Sequence, residues 1–203
     1  MRVRNEETYQ RKKAELMEAS FAAYARGGLS STGIKTLAEE CGCSAAALYT
    51  YFDNLDDLIV QSTAHCMAKV EDEFMARAPR SAAELAAFID ETPYWTAREH
   101  GEKYRLMYQV YTHPKYREHG KEFFTGVNER YRAYAEELAA GLGLPADVLV
   151  GLIFTFVRAC VHYALFEDEE YLNAQLSVLK RGIGLLMEQG SALEGNAADG
   201  AAA

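Results

Sequence analysis

Along the first part of the chain, apolar positions recur at steps of three and four, the period of a helix that buries one face. Leu16, Ala19, Ala23 and Tyr24 carry that rhythm between about Glu6 and Arg26. Gly27-Gly28 stops it by supplying the left-handed backbone that closes a helix. A short second helix is predicted over Ile34–Glu40, with Ser31 or Thr32 as N-cap and Ile34, Leu37, Ala38 and Cys41 facing inward. Gly42 breaks it, and Ser44 caps a third short helix reaching about Tyr51. Asn54 followed by Asp57 has the form of a capping box for a fourth helix starting near Leu55, where Asp56 and Asp57 also suit the helix dipole.

Beyond about residue 78 the texture changes. Ser81-Ala-Ala-Glu84 is a second capping box, and Thr92-Pro93 is expected to restart the chain with a capping hydroxyl and a proline at the first helical position. Gly101 is expected to divide the following segments, and His113-Pro114 to end the helix that carries Tyr104, Met107, Tyr108 and Tyr111. A long helix to Ala140 is closed by Gly141-Leu-Gly143, and two last helices are predicted over residues 146–166 and 169–189. The tail from Gly190 is rich in alanine and glycine with little to bury, and is expected to be disordered. No period-two pattern and no internal repeat is found. The fold class expected is all-α: residues 1–55 a helix-turn-helix domain, 56–189 a helical bundle, 190–203 a tail.

Composition agrees, with 49% hydrophobic and 25% charged residues and only four prolines. The net charge of -9 argues against a nucleic-acid partner until its distribution is seen. Residues 1–50 hold seven basic side chains against six acidic ones, so the acidity belongs to the body. Cys41, Cys43, Cys66 and Cys160 lack disulfide-framework spacing, and the first residues contain no apolar run, which together point to the cytoplasm. Val148–Phe166 is apolar but short for a span and contains Arg158 and His162, so a buried helix and no membrane partner are expected.

Two short helices joined by a glycine turn and packed on a preceding helix are the parts of a helix-turn-helix. The second must present small or polar groups outward to enter a major groove, and Ser44, Ala45, Ala46, Tyr49 and Thr50 satisfy that. The run from Thr32 to Phe52, ending Leu-Tyr-Thr-Tyr-Phe before an acidic helix start, resembles the signature of the tetracycline repressor (TetR) family, over about a fifth of the chain from Leu16 to Leu58. That resemblance implies operator binding as a dimer by the N-terminal helices and an effector pocket in the C-terminal ones. By position it implies phosphate or groove contacts for Thr32, Lys35, Tyr49 and Tyr51, and a recognition surface of Ser44, Ala45 and Thr50. The sequence departs from the family where Ala45 replaces a usual Lys or Arg, Ala46 a usual Gly, and Leu55 a usual Lys. Each lost cation should lower the salt dependence of binding by about one unit in log-log slope. Arg2 and Arg4 are candidates for a compensating arm in the minor groove. Phe52 reads as core, and the two cysteines beside Gly42 as small apolar residues rather than a redox pair.

The body is rich in aromatic side chains, most of them core material. Tyrosines in such number need hydroxyl partners when buried, and a cavity lined by Trp95, Tyr104, Tyr108, Tyr111, Phe154, Arg158 and His162 would bind a mixed polar and apolar effector. Arg158 and His162 also read as an internal ion pair or interface contact. Leu172, Leu176, Leu179, Ile183, Leu186 and Met187 stripe the last helix, so the last two helices are expected to meet a second copy as a four-helix interface. Five histidines form no metal-ligand spacing, and no phosphate loop or nucleophile elbow occurs, so neither an enzyme, a cofactor nor a metal is expected. The functional expectation is a repressor released from a palindromic operator by a small molecule. The rival is a helical dimeric adaptor of the same fold that has lost operator binding.

Overall fold

The helical periods become helices in the computed structural model, which describes residues 6–142 and 144–200. Eight helices lie among those residues: α1 Glu6–Gly27, α2 Ile34–Glu40, α3 Ala45–Leu48, α4 Leu55–Arg77, α5 Ala82–Thr112, α6 Arg117–Leu142, α7 Ala146–Phe166 and α8 Glu169–Gly200. The protein is all-α, as its apolar periodicity requires.

The chain packs as two compact units. The first takes the residues up to Ala76 together with Glu102–Phe124. There Leu16, Phe21 and Tyr24 of α1 are buried with Leu37 of α2, Leu48 of α3, and Phe52. Leu58, Ile59, Met67 and Val70 of α4 are buried in the same unit, as are Leu106, Met107 and Val110 from the end of α5. The second unit takes Arg77–Gly101 and the residues from Thr125 onward. Its core includes Ala135, Leu144, Leu149 and Val150, with Ile153, Phe154 and Leu186 packed alongside. α7 lies along α8, which turns Leu172, Leu176 and Leu179 inward. By length and composition α7 could cross a membrane, yet its Leu149, Phe156, Cys160 and Ala164 are buried within the protein.

Several boundaries differ from expectation, each for a local reason. The N-cap of α2 is Gly33, without a side-chain bond, because Thr32 is buried and the Ser31 hydroxyl donates back to the Gly27 carbonyl. α3 stops at Leu48 rather than near Tyr51. Beyond it the chain winds into turns in which the N–H groups of Tyr51 and Phe52 both bond the Leu48 carbonyl. Thr92-Pro93 does not restart the chain and Gly101 does not divide it, for α5 runs unbroken through both. A proline inside a helix forfeits one backbone bond. Ile89, Thr92 and Thr96 are buried on either side of it, so opening the helix there would expose more than the missing bond costs. The stretch from Gly190, expected to be disordered, continues α8 to Gly200, consistent with the high helix propensity of its alanines.

A buried tie in the second unit gives a measurable handle. The Tyr134 hydroxyl donates to the Pro79 carbonyl at 2.6 Å, pinning the start of the α5 segment to α6. Tyr134→Phe leaves that carbonyl unsatisfied and should lower unfolding free energy by about 1–2 kcal/mol in urea titrations, with the helical circular dichroism unchanged.

Candidate nucleic-acid interface and ligand clefts

The reading head is built by two consecutive caps. α2 is capped at its C-terminus by Cys41, and Gly42 follows with φ +60°, the left-handed region that a side chain rarely adopts. The Gly42 N–H bonds the Glu39 carbonyl at 3.1 Å and the Cys43 N–H bonds the Ala38 carbonyl at 3.0 Å, the paired bonds of a Schellman turn. One residue later Ser44 opens α3, its Oγ accepting the Ala47 N–H at 3.2 Å. Leu48 points inward, while Ser44, Ala46, Tyr49 and Thr50 are exposed and Ala45 is half-buried. Tyr49 keeps 49% of its surface open. The Thr50 hydroxyl donates to the Ala46 carbonyl at 3.1 Å.

Of the remaining residues expected at the interface, Lys35 is exposed on α2. Tyr51 is half-buried, its ring stacked on Tyr9 of α1 with centroids 4.9 Å apart. Thr32 is buried against Gly27, where an added Cβ would come within 2.5 Å of its hydroxyl oxygen. In this conformation its side chain serves packing at the α1–α2 corner. Arg2 and Arg4 lie outside the described residues. Sequence reading missed the supports: Lys13 sits 5.4 Å from the buried Phe52 ring, and Arg26 pairs with Glu40 at 2.6 Å between α1 and α2.

The thiols of the head are structural in setting. Cys41 is half-buried, 3.4 Å from the Ser20 hydroxyl and 3.8 Å from the Leu16 carbonyl, and its burial raises its pKa. Burial pushes the Cys66 thiol up to about 11 and raises that of Cys160 as well. Cys43 is half-buried.

Within the first unit, the start of α4 is tied to the end of the α5–α6 connection. Asp56 accepts Lys115 Nζ and the Tyr116 hydroxyl, each at 2.5 Å. The seven residues expected to line an effector cavity are divided between the units, with Tyr104, Tyr108 and Tyr111 in the first and the others in the second. Tyr104 and Tyr111 are buried, the latter packed on Phe123 at 5.5 Å. Trp95 is half-buried, with the Arg77 guanidinium 4.5 Å over its ring and His100 edge-on at 4.7 Å. Phe154 packs near Tyr131, Arg158 is exposed, and His162 lies against Phe166 and Tyr171 at 4.9 and 4.1 Å. The tyrosines Tyr94 and Tyr163 both donate to Glu169, at 3.1 and 2.9 Å.

Two clefts are lined by other residues. One, of about 340 Å³ in the first unit, has Cys66, Phe21 and a charged rim of Glu18, Arg26, Lys69, Glu73, Glu102 and Lys103. Much of that charge is spent internally, since Glu18 accepts Lys69 at 2.6 Å and lies 3.2 Å from His65. The other, of about 320 Å³ in the second unit, is lined by Arg77, Pro79, Glu84, Phe88, Glu91 and Thr92.

The geometry thus defines a helix-turn-helix head carried by a helical body, the architecture of a DNA-binding transcription regulator. Residues 16–61 match the family model of the tetR family of bacterial regulatory proteins. No curated protein matches the sequence. Among solved structures, a TetR transcription regulator from Haloarcula marismortui is similar at 19% identity and TM-score 0.67, covering 87% of this chain and 98% of that one. FadR from Bacillus subtilis, in complex with stearoyl-CoA, is similar at 16% identity and TM-score 0.56, covering 81% and 96%. The reduced form of Escherichia coli NemR is similar at 12% identity and TM-score 0.64, covering 84% and 96%. At these identities the likeness is one of fold.

The Asp56 contact carries a pH dependence with a definite sign. Lys115 first, and Tyr116 second, hold the Asp56 carboxyl below its usual range. The folded state therefore favours the ionised form. Its stabilising contribution is complete above about pH 4, the ordinary carboxyl value, and disappears as pH falls through the lowered folded value. Asp56→Asn should flatten that part of the acid-unfolding profile, measured by circular dichroism between neutrality and low pH.

Proposed function

We propose that this protein is a cytoplasmic transcriptional repressor that binds a palindromic operator as a homodimer and is released by a small-molecule effector. In this reading residues 1–55 read DNA, and residues 56–189 bind the effector and the second copy. The observation that carries it is the exposed outer face of α3, with Ser44, Ala46, Tyr49 and Thr50 turned to solvent on a helix anchored by buried Leu48. In this reading the exposed Lys35 contacts a phosphate and the exposed Tyr49 and Thr50 the groove, while Tyr51, stacked on Tyr9, supports them. The acidic body discourages other approaches to the duplex.

Dimerisation is supported by α8. Its inner leucines are consumed against α7, while Tyr171, Val178 and Leu185, at 39%, 74% and 53% exposure, form a line with seven-residue spacing. Phe166, 67% exposed at the end of α7, adds to that apolar surface. A second copy related by a two-fold axis would cover it and supply the second head. That a body of this fold accommodates a small molecule is consistent with the stearoyl-CoA complex of FadR. The effector acts by favouring a body conformation whose heads no longer match successive major grooves.

The test is a polarisation titration with DNA flanking the protein's own gene. The expected result is a saturable, sequence-selective complex that weakens with salt. Lys35→Ala should reduce the log-log salt slope by about one unit, and Tyr49→Ala should weaken operator and random DNA unequally. Absence of DNA binding at low salt would replace the repressor with a dimeric adaptor.

A further inference from the structure

Four buried hydroxyls have no hydrogen-bond partner among the described residues: Ser62, Thr63, Thr92 and Thr96. Thr92 alone among them lines a described cleft, the one of about 320 Å³ bounded by Arg77, Pro79, Glu84, Phe88 and Glu91. None of Thr92 is exposed, and Thr96, one turn further along α5, is buried to nearly the same degree. An orphaned buried hydroxyl destabilises the free protein, and a ligand that supplies its partner recovers that loss on binding.

The lining restricts the ligand's chemistry. The volume lies at the small end for organic ligands, suited to a molecule of one ring. Phe88 and Pro79 give apolar walls, and Phe88 packs on Phe156 at 5.3 Å. At the rim two carboxylates face one guanidinium, and that guanidinium is already placed over Trp95 at 4.5 Å. The rim disfavours an anion.

We propose that this cleft binds a small aromatic molecule that is neutral or cationic and carries one hydroxyl or amino group, which bonds the Thr92 hydroxyl. The Thr92 hydroxyl oxygen is enclosed, with no surface open to water. A ligand that bonds it therefore displaces part of the lining, so the site opens as it fills. The assignment deepens the effector reading, on which its regulatory consequence rests, but binding itself can be measured without DNA.

The experiment is calorimetric titration of the full chain with benzyl alcohol, benzylamine and benzoate, on the wild type, Thr92→Val and Thr92→Ser. Benzyl alcohol and benzylamine are expected to bind saturably at millimolar concentration, and benzoate about tenfold more weakly. Thr92→Val, which removes the orphan at constant shape, should raise the thermal midpoint of the free protein by about 2–4 °C while weakening benzyl alcohol about tenfold. Thr92→Ser should retain binding. A lowered midpoint in Thr92→Val, equal affinity for that variant and the wild type, benzoate binding as tightly as the amine, or no saturable binding by any probe would each overturn the assignment. Binding of these probes by a chain that fails to bind DNA would overturn the repressor and leave the site intact; the converse would remove the site and leave the repressor.

Discussion

A helix of four residues cannot sustain itself, since isolated helices shorter than about 12–15 residues are marginal in water. α3 exists because its backbone is capped at one end by Ser44 and held at the other by turns onto the Leu48 carbonyl. Leu48 and Phe52 are then buried beneath it. The burial of those two side chains decides which face of α3 remains outside. The outer face follows from the inner packing, so the exposed surface needs no separate stabilisation. The left-handed step at Gly42 serves the same constraint, because only a tight turn brings α3 back within reach of the α1–α2 core.

Most of the head was legible because its signals are local. Ile34 and Glu40 as the limits of α2, Gly42 as its terminator and Ser44 as the next cap each depend on a few neighbouring residues. The fourth-helix cap was also readable, with the Asp57 N–H bonding Asn54 Oδ1 at 2.9 Å. The early end of α3 was not, since it is set by how Tyr51 and Phe52 pack on α1. Thr32 illustrates the same limit: its place in the motif suggested a phosphate contact, and nothing in the spacing announced its burial against Gly27.

In the body, the abundance of tyrosine was visible but the use of it was not. A shared cavity was expected to satisfy the hydroxyls. Tyr134, Tyr94 and Tyr116, none of them named for that cavity, find partners far along the chain: Pro79 at a separation of 55 residues, Glu169 at 75 and Asp56 at 60. Such pairings have no signature in spacing. Pro93 misled for a related reason, because local propensity cannot weigh the buried contacts that carry α5 through it. Thr92, expected as a cap, and Thr96 one turn on are instead buried inside α5, a placement that no local signal announced.

The unequal settings of the four thiols have a practical reach. Cys66 and Cys160 are shielded by burial, and Cys41 is both held by Ser20 and discouraged from ionising. Cys43, half-buried between the turn glycine and the cap of α3, offers an attachment point for a maleimide dye. A fluorophore attached there would sit at the start of α3, so the unaltered sequence already carries a reporter position beside the exposed face of the head.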